Sequence, residues 1–490
     1  MFASVTSATV VGVEPRAVRV EVSLATAQRE TFTIVGLPDT AVREARERVR
    51  AAITATGLRF HRGKVTVNLA PADVPKAGSA YDLPIALGVA AALGEAPRSC
   101  REVVALGELA LDGTVRSARG ALAAGIVARQ RGQRCLLGVS ALAEGALSGA
   151  EVTGVDSLAQ AIAVVAGTDP GTTDTAPTPP SRDPAVDLAS VRGQEVARRA
   201  VEVAAAGGHH LLLSGAPGSG KTMLARALAG VLPDLTEHEA LDVAQAHAAA
   251  GRPPFLDARP PFRSPHHTAT PAAIIGGGSG MPVPGELTLA DRGVLFLDEL
   301  AEFPPYLLDT LRQPIEEGAV HVARKGASVS FPCRVQVVAA TNPCPCGFHG
   351  DSRSPCRCAP AAVGRYRARL SGPLVDRFDL RVPVHRVEPA ELLGPGGEAT
   401  ASVRGRVEVA RRRQIDRGVL NRALDRDALD ALPWDPDAHR LATRAIERFD
   451  LTARGWDRVR RVARTIADLA GDDSANADHM AEALGLRGAV

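Results

Sequence analysis

Eight consecutive residues, Gly215, Ala216, Pro217, Gly218, Ser219, Gly220, Lys221 and Thr222, read GAPGSGKT and lie between the apolar run LLLS and the helix-forming segment MLARALAGVL. Glycines at the first, fourth and sixth places let backbone N–H groups converge on an anion, and the N-terminus of the following helix adds positive potential. Lys221 then reaches the β- and γ-phosphates of a nucleoside triphosphate, while the Thr222 hydroxyl ligates Mg²⁺. A glycine-rich turn with an exposed lysine would look similar in isolation, but the strand-loop-helix context is what phosphate binding requires. All eight residues are candidate contacts to ATP.

Two carboxylates stand at the end of a second apolar run, VLFLDE, with Asp298 lying 76 residues beyond Thr222. In an open α/β sheet ligands gather at the carboxyl ends of the strands. Asp298 is placed to hold Mg²⁺ directly or through water, and Glu299 to polarise the attacking water. A third run, VQVVAATN, ends at Asn342. Its amide could position the same water, or could simply close a strand-terminal turn. Phosphoryl transfer also needs a cation for the charge that develops on the transferred group. Arg377, in LVDRFDL, is the candidate, acting in trans on a neighbouring subunit's ATP, and Arg454, in LTARGWDRV, is a candidate second sensor. Arginine is abundant in this chain, so ordinary solvated ion pairs are the alternative for both.

These groups require strands and helices to hold them. Apolar strands are expected at residues 210–214, 294–298 and 335–341, alternating with helical segments, the pattern of a parallel sheet covered on both faces. Ahead of them, strands at 17–22, 31–35 and 64–69 and helices at 41–56 and 83–93 predict an α+β domain. Between the two, GTDPGTTDTAPTPPSRDP has the composition of a linker. From about Val384 the pattern turns helical, with Arg-rich faces at 403–417, 437–448 and 457–469. The expected domains are 1–166, a linker at 167–187, a nucleotide-binding α/β core at 188–383 and a helical lid at 384–490.

With 490 residues, 45% hydrophobic and 23% charged, the chain has the balance of a soluble protein of two or three domains. No apolar run approaches the length of a membrane span and no secretory leader is evident, so a cytoplasmic location and no membrane partner are expected. A net charge of +2 leaves any nucleic-acid binding to local patches. Lysine occurs only at Lys64, Lys76, Lys221 and Lys325, so each is notable against the arginine background.

Several segments resemble one family. PFRSPHHTAT, GELTLADRGVLFLDELAEF, LRQPIEEG, AATNPCPCG, LSGPLVDRFDL and VARTIADLAG are similar to those of the magnesium-chelatase-like AAA+ proteins of the YifB/ComM group. The resemblance runs nearly end to end, and the pairing of NPCPCG with RSPHHT is specific to that group. It implies a hexameric ring ATPase, with ATP-driven DNA branch migration in homologous recombination or natural transformation as its activity. Motors of this clade carry a β-hairpin before the strand that ends in the sensor Asn. AVHVARKGASV, residues 319–329, fits such a hairpin, with Arg324 and Lys325 at a tip that would contact DNA phosphates in a central pore. An ordinary exposed hairpin is the alternative. The adjacent His266 and His267 lie in a Pro- and Gly-rich insertion, 261–285, that would line the same pore, and no metal site is read into them.

Four of the seven cysteines crowd into a short loop: Cys344, Cys346, Cys356 and Cys358. They could close a tetrahedral Zn²⁺ site bracing the loop after Asn342, although C-x-C is tighter than the usual spacing; unligated reduced thiols and a redox role are the alternatives. In the first domain, residues 71–95 and 106–125 resemble the proteolytic domain of Lon proteases, an α+β fold of the ribosomal protein S5 domain 2 type. That domain uses a Ser-Lys dyad. Here alignment on Lys76 and Gly78 puts Ala80 where the nucleophile belongs, Ser79 is one residue early, and no lysine follows before Lys221. The domain reads as a retired protease fold used for assembly or partner binding. Two further functions compete with the DNA motor: a magnesium-chelatase-type subunit driving metal insertion, and a module that uses ATP only to assemble.

Overall fold

The computed structural model describes residues 1–174, 186–278, 281–324, 327–351, 353–370, 374–449 and 451–488. They form two compact units, Met1–Ser181 with Glu237–Leu256, and Arg182–Thr236 with Asp257–Val490.

The first unit is built on a mixed sheet of seven strands: β1 (Phe2–Val11), β2 (Glu14–Ala25), β3 (Thr31–Val35), β4 (Lys64–Ala70), β5 (Val103–Leu106), β6 (Arg134–Gly138) and β7 (Val152–Val155), in the order β3-β4-β2-β1-β5-β6-β7. Alternation in β2 sends Val18, Val20, Val22 and Leu24 into a core shared with helices Thr40–Ala55 and Asp82–Leu93. Lys76 is buried and its ammonium donates to the Pro71 carbonyl, whereas the Ser79 hydroxyl donates to Glu108. The two side chains thus engage different partners. Two features differ from the sequence expectation. Thr172 exchanges backbone hydrogen bonds of 2.7 and 2.9 Å with Gly154, so the chain stays attached to the sheet edge beyond the linker start expected at 167. Helix Glu237–Ala249 also joins this unit, where Leu241, Ala244 and Ala248 pack on Leu122, Ile126 and Leu147. An apolar stripe finds its partner by packing, which chain order does not reveal.

The second unit holds a five-stranded, all-parallel sheet: β8 (Leu211–Gly215), β9 (Phe262–Arg263), β10 (Val294–Leu297), β11 (Gln336–Thr341) and β12 (Leu380–Val384), in the order β9-β10-β11-β8-β12. β8 is an interior strand between β11 and β12, so the loop leaving it is flanked by the carboxyl ends of both neighbours. Strands 319–324 and 327–332 form the expected antiparallel hairpin, with Val322 opposite Val329. The C-terminal helices Thr400–Asp416 and Ala453–Ala470 share one hydrophobic core with the sheet, in which Val403, Val407 and Ile466 join Leu211, Phe296 and Val338. The boundary expected at 384 therefore does not divide the core. Helix Glu195–Gly207 lies within the same cluster and presents apolar groups to both layers.

Candidate nucleotide site

Sequence places the phosphate loop between β8 and helix Lys221–Val231, and the backbone explains its glycines: Gly218 and Gly220 have φ of 76° and 95°, a region that side chains with Cβ avoid. The Lys221 ammonium donates to the carbonyls of Gly215 (2.7 Å) and Ala216 (2.9 Å) and to Asn342 Oδ1 (3.3 Å). Burial lowers its pKa, with Asp298 and Glu299 pulling the other way. Thr222 Oγ1 donates to Asp298 Oδ2 at 3.1 Å, and the second Asp298 oxygen accepts the Glu299 N–H at 2.9 Å. Octahedral Mg²⁺ with oxygens at about 2.1 Å separates neighbouring ligands by about 3 Å. The Thr222–Asp298 pair therefore matches two adjacent corners of such a shell. Glu299 adopts a left-handed backbone, φ 52°, and its carboxylate lies 3.5 Å from His267 Nδ1. Gln194 binds the Ser219 carbonyl at 3.3 Å and the His385 carbonyl, tying the loop to the end of β12.

Lys221, Thr222, Asp298, Glu299 and Asn342 thus converge at the carboxyl edge of the sheet. Arg377 does not. It sits in the turn Val375–Arg377, ahead of β12, where Leu380 pairs beside Leu211 and Val384 beside Gly215. At about 3.3 Å per residue the strand alone separates Arg377 from the phosphate loop by about 13 Å. Arg377 pairs there with Glu316 at 2.6 Å. The turn is anchored by Asp379, which lies 3.2 Å from His209 Nδ1 and 3.6 Å from Arg458. Burial alone would raise that carboxyl, but the His209 hydrogen bond and the neighbouring His and Arg charges hold it far below the usual range. Arg454 is exposed in the first turn of helix Ala453–Ala470. Arg324 ends its hairpin strand, and Lys325 lies outside the described residues.

The loop after Asn342 gathers Cys344, Cys346, Cys356 and Cys358, whose sulfurs all lie within 4.8 Å of one another. Three of the separations are 3.4, 3.7 and 3.7 Å. Tetrahedral Zn²⁺ with Zn–S of about 2.3 Å requires sulfur edges of about 3.8 Å, so the donor set fits that ion. Backbone N–H groups of Phe348 and Arg357 pull the Cys346 thiol down to about 6, whereas hydrogen bonds among the sulfurs push Cys356 and Cys358 up. Pro217 meets the same loop: a Cβ on Gly347 would stand 2.4 Å from its Cδ.

Sequence reasoning missed three of these contacts: His267 on Glu299, Gln194 under the phosphate loop, and Gly347 on Pro217. RSPHHT drew notice only as a pore insertion. Nothing in the residue spacing links Gly347 to Pro217, because that link needs β11 and β8 to be neighbours.

A parallel sheet in which an interior strand runs into a phosphate loop, flanked by a Thr-Asp pair and a glutamate, defines an AAA+ nucleoside-triphosphatase fold. Family models agree along most of the chain: magnesium chelatase subunit ChlI matches residues 187–392, subunit ChlI of Mg-chelatase 20–139, and the ChlI C-terminal model 397–487. An uncharacterized protein of Mycobacterium tuberculosis is 44% identical over 93% of this chain and 92% of its own length. The uncharacterized protein YifB of Escherichia coli is 41% identical over 93% and 91%, and the competence protein ComM of Haemophilus influenzae 39% over 98% and 96%. The chain belongs to the YifB/ComM family of magnesium-chelatase-like AAA+ proteins.

Proposed function

We propose that this protein hydrolyses ATP with Mg²⁺ and uses the energy to remodel DNA as a homo-oligomeric, hexameric ring, with branch migration in recombination or transformation as its task. The convergence of Lys221, Thr222, Asp298, Glu299 and Asn342 carries the ATPase reading. Thr222 and Asp298 would hold Mg²⁺, which supplies charge neutralisation at the phosphates. Lys221 would turn from its carbonyl partners to the β- and γ-phosphates, Glu299 would accept the proton of the attacking water, and Asn342 would orient that water. Arg377, at the amino end of β12 and away from this chain's phosphate loop, is suited to a neighbour's site, and this supports a ring. Arg454 is a weaker candidate for a second sensor, and the four cysteines take a structural Zn²⁺ in this reading.

The DNA substrate draws support from the paired strands 319–324 and 327–332, from the basic Arg324 and Lys325 that the sequence carries where they join, and from a relative called a competence protein. Among the described residues no helix is long and apolar enough to cross a membrane. A cytoplasmic location suits the reduced thiols that a Cys₄ site requires. The family models' descriptions favour a second reading, an ATPase subunit driving metal insertion. A strand-exchange assay on a mobile three- or four-way junction separates the two. ATP-dependent exchange lost in Lys221→Ala supports the motor, whereas no DNA binding at moderate salt and no DNA-stimulated hydrolysis would sink it.

A further inference from the structure

We propose that the four-thiol site is a metal-dependent brace on the phosphate loop, so that a soft divalent cation, Zn²⁺, bound there governs nucleotide affinity and turnover. This rests on the zinc and ATPase readings above and deepens both.

Among the described residues of the loop between β11 and helix Pro360–Leu370, only Cys344 and Gly347 are buried. Its fastenings are polar. Asp351 Oδ1 accepts the N–H groups of Arg353 and Ser354 at 2.8 Å, Asp351 pairs with Arg386 at 3.2 Å, and the Arg386 guanidinium lies 5.1 Å from the Phe348 ring centroid. The first two close a turn within the loop, and the Arg386 contacts tie it to the residues after β12. A cavity of 410 Å³ opens between the loop and the base of the phosphate loop, lined among others by Gly215, Asn342, Gly347, Asp351 and Arg386. Packing across that space is thin, so two contacts transmit the loop's position: Gly347 against Pro217, and Asn342 on Lys221 at 3.3 Å.

Both contacts flank the ligand set. Asn342 precedes Cys344 by two residues, and Gly347 follows Cys346 directly. The Gly347 N–H also donates to the Cys344 carbonyl at 2.9 Å. Cys356 and Cys358 close the cluster from the loop's far end, and metal bonding would join the two ends into one rigid knot. Metal therefore fixes where Gly347 stands against Pro217, and it secures the chain just beyond Asn342, which the end of β11 already sets on Lys221. Thiolate ligands select zinc-like ions over the Mg²⁺ that serves the phosphates, so the two metals act at separate addresses.

The test uses full-length protein under reducing conditions. Metal content is measured as purified, after stripping with a chelator that is then removed, and after adding back Zn²⁺, with Mg²⁺ in excess throughout the assays. Expected are about one Zn²⁺ per chain and, in stripped protein and in Cys356→Ser, a fall in ATP turnover of roughly 10- to 100-fold with weaker binding of a fluorescent ADP. Zn²⁺ restores the stripped protein but not the variant. Because stripping is reversible, the result stands even if Cys356→Ser fails to fold. Zinc present, yet with turnover and ADP affinity unchanged on its removal, would overturn the brace and leave the zinc site standing. No metal even after reconstitution would overturn both. If loaded protein hydrolyses no ATP, the ATPase reading fails, and the brace is then judged on ADP affinity alone.

Discussion

Gly347→Ala perturbs the junction between the cysteine loop and the phosphate loop with a single methyl group. Gly347 has φ of +84°, so any side chain there costs about 1–2 kcal/mol of backbone energy. The added carbon would lie 2.4 Å from Pro217 Cδ and 2.7 Å from Cγ. Carbon atoms rest at about 3.5–4.0 Å, so one of the two loops must retreat by about 1 Å. The proline ring is rigid and sits within the loop that holds the phosphates. A displacement of that size at a catalytic centre lowers turnover by roughly 100-fold. Gly350→Ala is the matched control, since Gly350 has φ of +80° and nothing lies within 4 Å of the position its Cβ would take. It carries the same backbone cost without the collision. Steady-state ATPase assays, fluorescent-ADP titration and thermal melts on both variants should show similar, modest losses of stability. Only Gly347→Ala should lose turnover. Equal turnover in the two variants, close to that of the parent, would refute the reasoning that the loops are mechanically joined.

Glu299→Gln should keep nucleotide affinity while turnover falls by roughly 10²–10⁴-fold, and Lys221→Ala should weaken nucleotide binding itself; titration beside steady-state kinetics separates the two. Arg377→Ala should be nearly inactive alone, yet mixing it with Lys221→Ala should recover hydrolysis, because the second subunit lends its intact Arg377 to the first subunit's intact phosphate loop. No recovery in demonstrably mixed rings would argue against action in trans. Acid should destabilise the fold through His210, whose pKa is lowered well below the usual value by burial first and by the Arg422 charge second. Below about pH 6.5 the unfolded chain takes up a proton there that the folded chain refuses, so stability falls by up to about 1.4 kcal/mol per pH unit. Above that pH the imidazole is neutral in both states and the effect vanishes. Denaturant titrations at pH 7.5 and 5.5 should show a shallower loss in His210→Asn than in the parent.

Much of the nucleotide site was legible because its chemistry is local. The phosphate loop, the Asp298–Glu299 pair and Asn342 each sit at the end of an apolar run, and a run of that length is a buried strand in this context. The helix of residues 41–56 was legible for a similar reason, since Val42, Ala45, Val49 and Ala52 repeat at helical spacing. Helix Glu237–Ala249 was visible at most as a helix, because its partners Leu122 and Ile126 lie more than a hundred residues away in the sequence.

The sequence by itself determined which residues carry the chemistry proposed here for phosphate, Mg²⁺ and a soft metal, since that chemistry resides in side chains and in turns a few residues long. Only the tertiary structure decided which of them act together. The strand order β10-β11-β8-β12 sets Asn342 on Lys221 and Gly347 on Pro217, and the parallel direction of β12 leaves Arg377 at its amino end, away from the phosphate loop. Strand order follows from how apolar faces are shared across the whole core, and no spacing along the chain encodes it.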